Sequence, residues 1–332
     1  MSVALHPDAF AKLRQYQANI ARANQVDSVQ TTFSVQPVPH QKMIQAYQKS
    51  AEFLGQINML TVGDAHGQKL SLNADRSVAS TTNTLINPRR PTPMGAIELI
   101  DEYLCTQTNY DVAYLWSLLN AWRHMPDFFN KLASMVVRQT ALDKLKIGWH
   151  GELRAPTSDK TAYPLLNDVN IGWLEKIRQY APERRLADIS IGGGNDFKNI
   201  DAVIESAVED LIGEQYRDAG LIAICGRGIV NDKYLPIMNQ ELAPTEQIAM
   251  RNIYGTRQLG TLPTLHVPYF PEKTILITKP SNLSIYIQEG TLRRYLKDEP
   301  EWDRTSDFQS VNEAFVVEDY EMVALLENVE YV

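Results

Sequence analysis

Two glycine-rich turns are the residues of this 332-residue chain whose type and spacing come nearest to chemistry. Gly192, Gly193 and Gly194 precede an expected helix near Asn199, where backbone N–H groups and the helix dipole could cradle a phosphate. The run matches neither the Walker pattern nor the dinucleotide fingerprint, and no Lys-Ser/Thr pair follows it, so a flexible turn is the better reading. Gly226 and Gly228, in CGRGIVND, follow an apolar strand and precede a helix, which is the context of a nucleotide site with only a fragment of its motif. A tight strand-to-helix turn accounts for them.

The remaining reactive types are sparse. His6, His40, His66, His124, His150 and His266 never fall three or four apart, so no helical metal pair is present. Cys105 and Cys225 are too few for a disulfide framework or a zinc site and read as two buried thiols. There is no GxSxG elbow and no HExxH, and the pairs Asp298-Glu299 and Glu318-Asp319 read as solvated faces. No catalytic, cofactor-binding or metal-ligating residue is assigned, and an enzyme is not expected.

With 44% hydrophobic residues the chain can bury one large core or two modest ones. No apolar run approaches the ~18 residues of a bilayer span, and Met1 to Gln30 lacks a signal-peptide core, so a cytoplasmic origin without a membrane partner is expected. The net charge of −8 is unevenly placed: Lys297 to Val332 holds eleven Asp and Glu against Lys297 and Arg304. Such an acidic excess argues against a surface that grips nucleic acid through its phosphates.

The elements that must position any site follow from periodicity. Asp8 to Ala23 places Phe10, Leu13, Tyr16, Gln17 and Ile20 on one helical face with Asp8 as cap, followed by a polar, loop-like Asn24 to Gln36. A second helix is expected from Gln41 to Leu54, with Ile44, Tyr47, Ala51 and Leu54 inward. Ile57 to Val62 and Gln68 to Asn73 read as strands, and Ala74 to Gly95 as a long loop that is either solvated or folds back as a hairpin arm with a reach of about 30 Å. Arg76, Arg89 and Arg90 lie on that arm and could meet the acidic C-terminal stretch of a neighbouring subunit. Tyr103 to Thr108 alternates like a strand, and Pro126 opens a helix to Trp149 on which Phe128, Leu132, Met135, Leu142, Leu145 and Trp149 keep helical spacing.

From Arg154 to Lys279 helices and strands alternate, as in a compact α/β lobe. Helices are expected at Asp168 to Tyr180, Ile200 to Ile212, Ile229 to Met238 and Thr245 to Tyr254, with Leu221 to Cys225 as a buried strand. Gly260 to Tyr286, GTLPTLHVPYFPEKTILITKPSNLSIY, reads as three short strands set apart by prolines, with His266 to Tyr269 and Thr274 to Thr278 as the first two. Pro263, Pro268, Pro271 and Pro280 have no backbone donor and belong at strand ends, edges or turns. Ser284 to Ile287, Phe315 to Val317 and Met322 to Leu326 are the clearest later strands. So much pattern without reactive groups points to architecture.

Nine colinear segments carry a resemblance. FSVQP at Phe33, SVASTT at Ser77, APTSD at Ala155, DVNIGWLEKIR at Asp168, GGGNDFKNIDA at Gly192, the GR-x₄-DKYLPIMN run from Gly226, LPTLHVPYFP at Leu262, LITKPSNLSIY at Leu276 and VVEDY at Val316 together resemble the major capsid proteins of Peduovirus-type (P2-like) tailed phages. The resemblance covers Val29 to Glu327. It implies an α+β Hong Kong 97-like capsid fold, divided as an N-terminal segment 1–32 removed on maturation, an N-arm 33–62, an extended loop 63–95, a peripheral domain 96–153 and 281–332 with a spine helix 126–149, and an axial domain 154–280. Two departures are visible: Arg185 to Gly194 looks shorter than in these relatives, and a tail after the last strand is missing.

The same resemblance implies a virion shell protein that assembles in the bacterial host cytoplasm. Its partners would be itself as hexamers and pentamers, an internal scaffold with its protease, a portal, and packaged double-stranded DNA held weakly and without sequence specificity. Two rival readings remain at this point, a cellular compartment shell of the same fold and a nucleotide-dependent α/β enzyme resting on the two glycine turns.

Overall fold

Ile275–Thr278 is buried at all four positions, and its alternation organises the molecule. Ile275 and Ile277 face one apolar cluster while Leu276 belongs to another, so this strand is covered on both sides and reads as a continuous apolar run rather than an alternating one. The computed structural model describes residues 4–73, 79, 81–82, 96–125, 127–194, 197–230, 233 and 258–331. Among the described residues the helices whose two ends are both seen are α1 (Pro7–Asn24), α2 (Pro37–Ser50), α3 (Trp116–Ala121), α4 (Phe128–His150), α5 (Trp173–Tyr180) and α6 (Ile200–Leu211).

Ile275–Thr278 is an inner strand of a six-stranded mixed sheet. The order is Gln258–Leu259, Leu262–Leu265, Ile222–Cys225, Ile275–Thr278, Ala324–Glu327, Arg185–Ala187. Helix α6 covers one face through Ile200, Val203, Ile204, Ala207 and Leu211, a clean 3.6-residue stripe, and Asn199 caps it by accepting from the Ala202 N–H at 2.8 Å.

The second sheet has seven strands gathered round Arg304–Val317. This fourteen-residue strand pairs antiparallel with Arg293–Glu299, Leu283–Gln288, Thr106–Asn109 and Val112–Leu115, and the sheet ends on Asn58–Val62 and Phe33–Ser34. Helix α4, at 23 residues and about 35 Å long, lies along it as a spine.

Several expectations need correction. Asp8 lies inside the first turn of α1, the cap being His6, and Phe10 is exposed because the buried face runs through Ala9, Leu13, Gln17 and Ile20. The stretch taken as polar loop after α1 anchors Val29, Phe33 and Val35 in the core. Met135 faces outward on α4, and Pro126 lies outside the described residues. Helix α5 begins only at Trp173, because residues 167–169 form a turn and Gly172, its N-cap, is extended. His266 to Tyr269 is not a strand; the strand is Leu262–Leu265, and Pro263 sits in it opposite Gln258 near the sheet edge, where a missing donor is tolerated. The expected helices Ile229 to Met238 and Thr245 to Tyr254 lie outside the described residues except at 229–230 and 233, which are helical.

Leu283 to Val317 builds the seven-stranded sheet, but Ala324–Glu327 crosses back to pair with Ile275–Thr278 and Arg185–Ala187. The C-terminal segment therefore stitches the two lobes together.

Candidate assembly limbs and the joint that holds them

Two limbs leave this body. The first is a ribbon in which His66–Asn73 runs antiparallel to Ala96–Leu104, with a register shift between Lys69 and Leu70. Among the described residues neither strand pairs with a third, so the ribbon has two open edges along about 26 Å of backbone. Its root is fixed. The Cys105 N–H donates to the Ala65 carbonyl at 2.7 Å, the Tyr103 ring stands edge-on to Tyr286 at 5.1 Å, and Cys105 packs with Ala314 and Val316 of the long strand. The tip expected from Ala74 to Gly95, with Arg76, Arg89 and Arg90, lies outside the described residues apart from Ala79, Thr81 and Thr82.

The second limb is the N-terminal helix. Ala9 and Leu13 of α1 enter a small apolar cluster with Tyr114, Leu119 and Leu132 that is separate from the two main cores. Polar contacts hold both ends: the His6 N–H donates to Asn120 Oδ1 at 2.8 Å, Asn120 Nδ2 to the Ala4 carbonyl at 2.9 Å, and Gln17 and Gln30 to the Asp298 carboxylate at 3.4 and 3.2 Å.

Between the lobes, five aromatic side chains form the joint. Trp149 at the end of α4 contacts Phe53 at 5.3 Å, Trp173 at 4.8 Å and Phe270 at 5.0 Å, while Trp173 meets Phe315 at 5.3 Å. They come from the turn after α2, the end of α4, the start of α5, the loop before Ile275–Thr278 and the long strand, so one cluster ties five separate segments of the chain. Gly148 makes it possible: a Cβ there would overlap the Trp173 ring. The Trp173 Nε1 donates to the Ser284 carbonyl at 3.0 Å.

Buried and half-buried polar pairs lock these elements together, the first of them joining α4 to the long strand. Lys144 Nζ donates to Glu313 Oε2, and the Tyr110 hydroxyl donates to Glu313 Oε1 at 2.5 Å. Arg294 grips Asp307 in bidentate fashion at 3.0 and 2.6 Å. Arg178 and Arg185 both bond Glu327, which these partners hold below the ordinary carboxylate range although burial alone would push it up. Arg304, helped by Ser306, holds Glu299 down to about 2. The expectation of solvated acidic pairs is thus corrected: Glu299 is buried, Glu318 accepts from Ser284 and Tyr286, and Asp319 accepts from Tyr216 at 2.6 Å. Much of the acidic C-terminal charge is turned inward.

The groups weighed for chemistry are placed as follows. Gly193 and Gly194 face open space, and the residues after them, 195–196, are outside the description. Gly226 is required by packing, since a Cβ would overlap the Glu272 backbone. Sequence spacing gave no hint that Cys225 and His266 meet, yet His266 Nδ1 lies 3.9 Å from Cys225 Sγ and 3.1 Å from the Cys225 carbonyl, in a cleft of about 570 Å³. Parallel pairing of Leu265 with Ile224 brings them together. Burial pushes the Cys225 thiol up to about 12 and the Cys105 thiol, also beside Glu313, to about 11, so neither is a nucleophile at neutral pH. Among the described residues no group of three His, Cys, Asp or Glu could hold a metal ion, and no helix is long and apolar enough to cross a membrane.

A family profile described as phage major capsid protein, P2 family, matches residues 12–329. The chain is 33% identical over 333 residues to the capsid proteins of Escherichia phage P2, covering 96% of this chain and 93% of that sequence. It is 35% identical over 332 residues to the major capsid protein of Serratia phage KSP20, covering 96% and 95%. Among solved structures, a chain of the satellite phage P4 procapsid including the size determination (Sid) protein superposes with a TM-score of 0.80 at 32% identity, covering 99% of both chains. A chain from the capsid of a native GTA particle shares the fold at 15% identity, with a TM-score of 0.52 over 86% and 90% of the two chains.

Proposed function

The chain belongs to the P2 family of phage major capsid proteins, and from that premise we propose that its copies tile as hexamers and pentamers, assembled in the host cytoplasm on an internal scaffold and closed around a portal. It is a shell subunit of a tailed phage, built on the Hong Kong 97-like α+β fold. The family is structural, and the work of the molecule is self-association rather than catalysis.

The observation that carries the finer reading is the ribbon His66–Asn73 with Ala96–Leu104, whose edges have no strand partner among the described residues. A limb of this length gains most when laid on another copy, where strand addition and apolar burial satisfy it, and closed symmetry then sums many modest contacts. In the division this reading favours, residues 1–32 form a segment removed on maturation, 33–62 the arm, 63–95 the loop, whose ribbon is completed by Ala96–Leu104, and the two lobes meet at the aromatic joint. The segment after about residue 323 is assigned to the axial lobe, whose sheet it joins. Packaged DNA is held weakly, because the chain as a whole is acidic.

Negative-stain microscopy of the chain coexpressed with its scaffold tests this: closed shells are expected, and persistent monomers would overturn it. Mass spectrometry of mature particles tests the processing separately, with a new N-terminus near Thr32 or Phe33 expected and an intact Met1 or Ser2 end ruling it out.

A further inference from the structure

The cluster under α1 has the form of a ligand site. Its floor is supplied by the rest of the chain, by Tyr114 on Val112–Leu115, Leu119 on α3 and Leu132 and Phe129 on α4, while α1 inserts Ala9, Leu13 and Tyr16, the last stacked on Phe129 at 5.3 Å. These three positions are four and three residues apart, the spacing of a helix laid into a groove. The groove ends are acceptors. Lys12 Nζ donates to the Arg123 carbonyl at 2.5 Å and lies 3.4 Å from the Met125 carbonyl, just past the end of α3, and Arg14 approaches the Asp298 carboxylate at 3.8 Å. Asp298 is held in turn by the Thr305 hydroxyl at 3.0 Å, so the anionic end stays in place without α1. Towards its C-terminus α1 also sends Ile20 into the main core, and Asn24 Oδ1 accepts from the Gln36 N–H at 3.2 Å.

We propose that the groove between α3 and the first half of α4 is a receptor for a cationic amphipathic helix, which α1 fills reversibly from the same chain. The pattern it accepts is a small residue, a leucine four positions on and an aromatic three further, with a lysine beside the leucine to reach the carbonyls of Arg123 and Met125. Where residues 1–32 are removed, which rests on the processing proposed above, the vacant groove takes a helix of this chemistry from another polypeptide.

The test needs no natural processing. Asp27 and Ser28 are both exposed, and Val29 beyond them stays anchored through its carbonyl, which accepts from the Leu296 N–H at 2.9 Å. A protease recognition sequence inserted between Asp27 and Ser28 of the full chain lets α1 be severed after folding. A fluorescent peptide of residues 4–24 in large excess is then followed by anisotropy, with far-UV circular dichroism as the folding control. The expected result is a folded chain that takes up one peptide per copy, with Leu13→Asp and Lys12→Glu peptides at least tenfold weaker. A severed chain that unfolds, one that stays folded without taking up peptide, or one that binds all three peptides alike would overturn the proposal. An intact Met1 in mature particles would count against the processing alone and leave this result standing.

Discussion

Lys144 Nζ donates to Glu313 Oε2 where the two side chains are 2% and 0% exposed, which fixes the register of the spine helix on the central strand. The Tyr110 hydroxyl completes the site from Glu313 Oε1, and the Lys144 ammonium lies 4.7 Å from the Tyr110 ring centre. An ion pair this deep costs desolvation on both sides, so its worth lies in where it holds α4 more than in net stability.

Removing one partner leaves the other buried and alone. Lys144→Met is expected to lower the unfolding free energy of the subunit by about 3–5 kcal/mol, measured by urea denaturation. The double variant Lys144→Met with Glu313→Leu should recover a large part of that loss. Equal destabilisation of the single and double variants would show that the pair is not the cause.

Gly148 and Trp173 form a second coupled pair. Gly148→Ala drives a methyl into the indole and is expected to destabilise by about 1–3 kcal/mol through overpacking. In a background of Trp173→Leu the same change should cost much less, a coupling that a double-mutant thermal-unfolding cycle reads directly. Additive effects would contradict the close approach.

The second lobe should be acid-sensitive through Glu327. Arg178 and Arg185 hold its carboxylate below the ordinary range, so its contribution is fully present above the unfolded value of about 4.3 and is lost as pH falls through the lower folded value. Glu327→Gln should therefore lower stability at pH 7 and flatten its decline below pH 4.5, measured by thermal melts across pH 2.5–7. A variant that keeps the full acid slope would place the titrating group elsewhere.

Thiol chemistry gives a fourth check. With burial pushing Cys225 up to about 12 and Cys105 up to about 11, the folded subunit should resist maleimide labelling at pH 7 and label at both positions once unfolded in urea. Fast native labelling of Cys225 would reopen a reactive role for its contact with His266.

The helices with complete periodic faces were legible in the sequence. Ile44 and Tyr47 are buried on α2 as their spacing predicts, although the helix ends at Ser50 and Ala51 and Leu54 are buried beyond it, the latter in the 3₁₀ turn Glu52–Gly55. Helix α6, expected over Ile200 to Ile212, spans Ile200–Leu211. The apolar runs Ile222–Cys225 and Ile275–Thr278 were also readable as buried strands, since β-branched residues without polar interruption leave few alternatives. Arg293–Glu299 and the first ten residues of Arg304–Val317 escaped. RRYLKDE and RTSDFQSVNE carry charges on the inward face, and only their partners show that the charges are neutralised there. His266 to Tyr269 failed for a different reason, because Pro268 and the left-handed Tyr269 turn the chain at that point.

By itself the sequence pointed to the capsid family: its ordered motifs resemble P2-type capsid proteins across nearly the whole length. Only the tertiary structure decided which carboxylates are solvated and which are bolts, that Ala324–Glu327 returns to the other lobe, and that Phe53, Trp149, Trp173, Phe270 and Phe315 converge on one joint. The reason is physical. Local periodicity records which face of an element is apolar, but burial of a charge or an indole depends on partners that the fold brings to it, such as Glu313 for Lys144 and Ser284 for Trp173, and that information exists only once the chain has closed on itself.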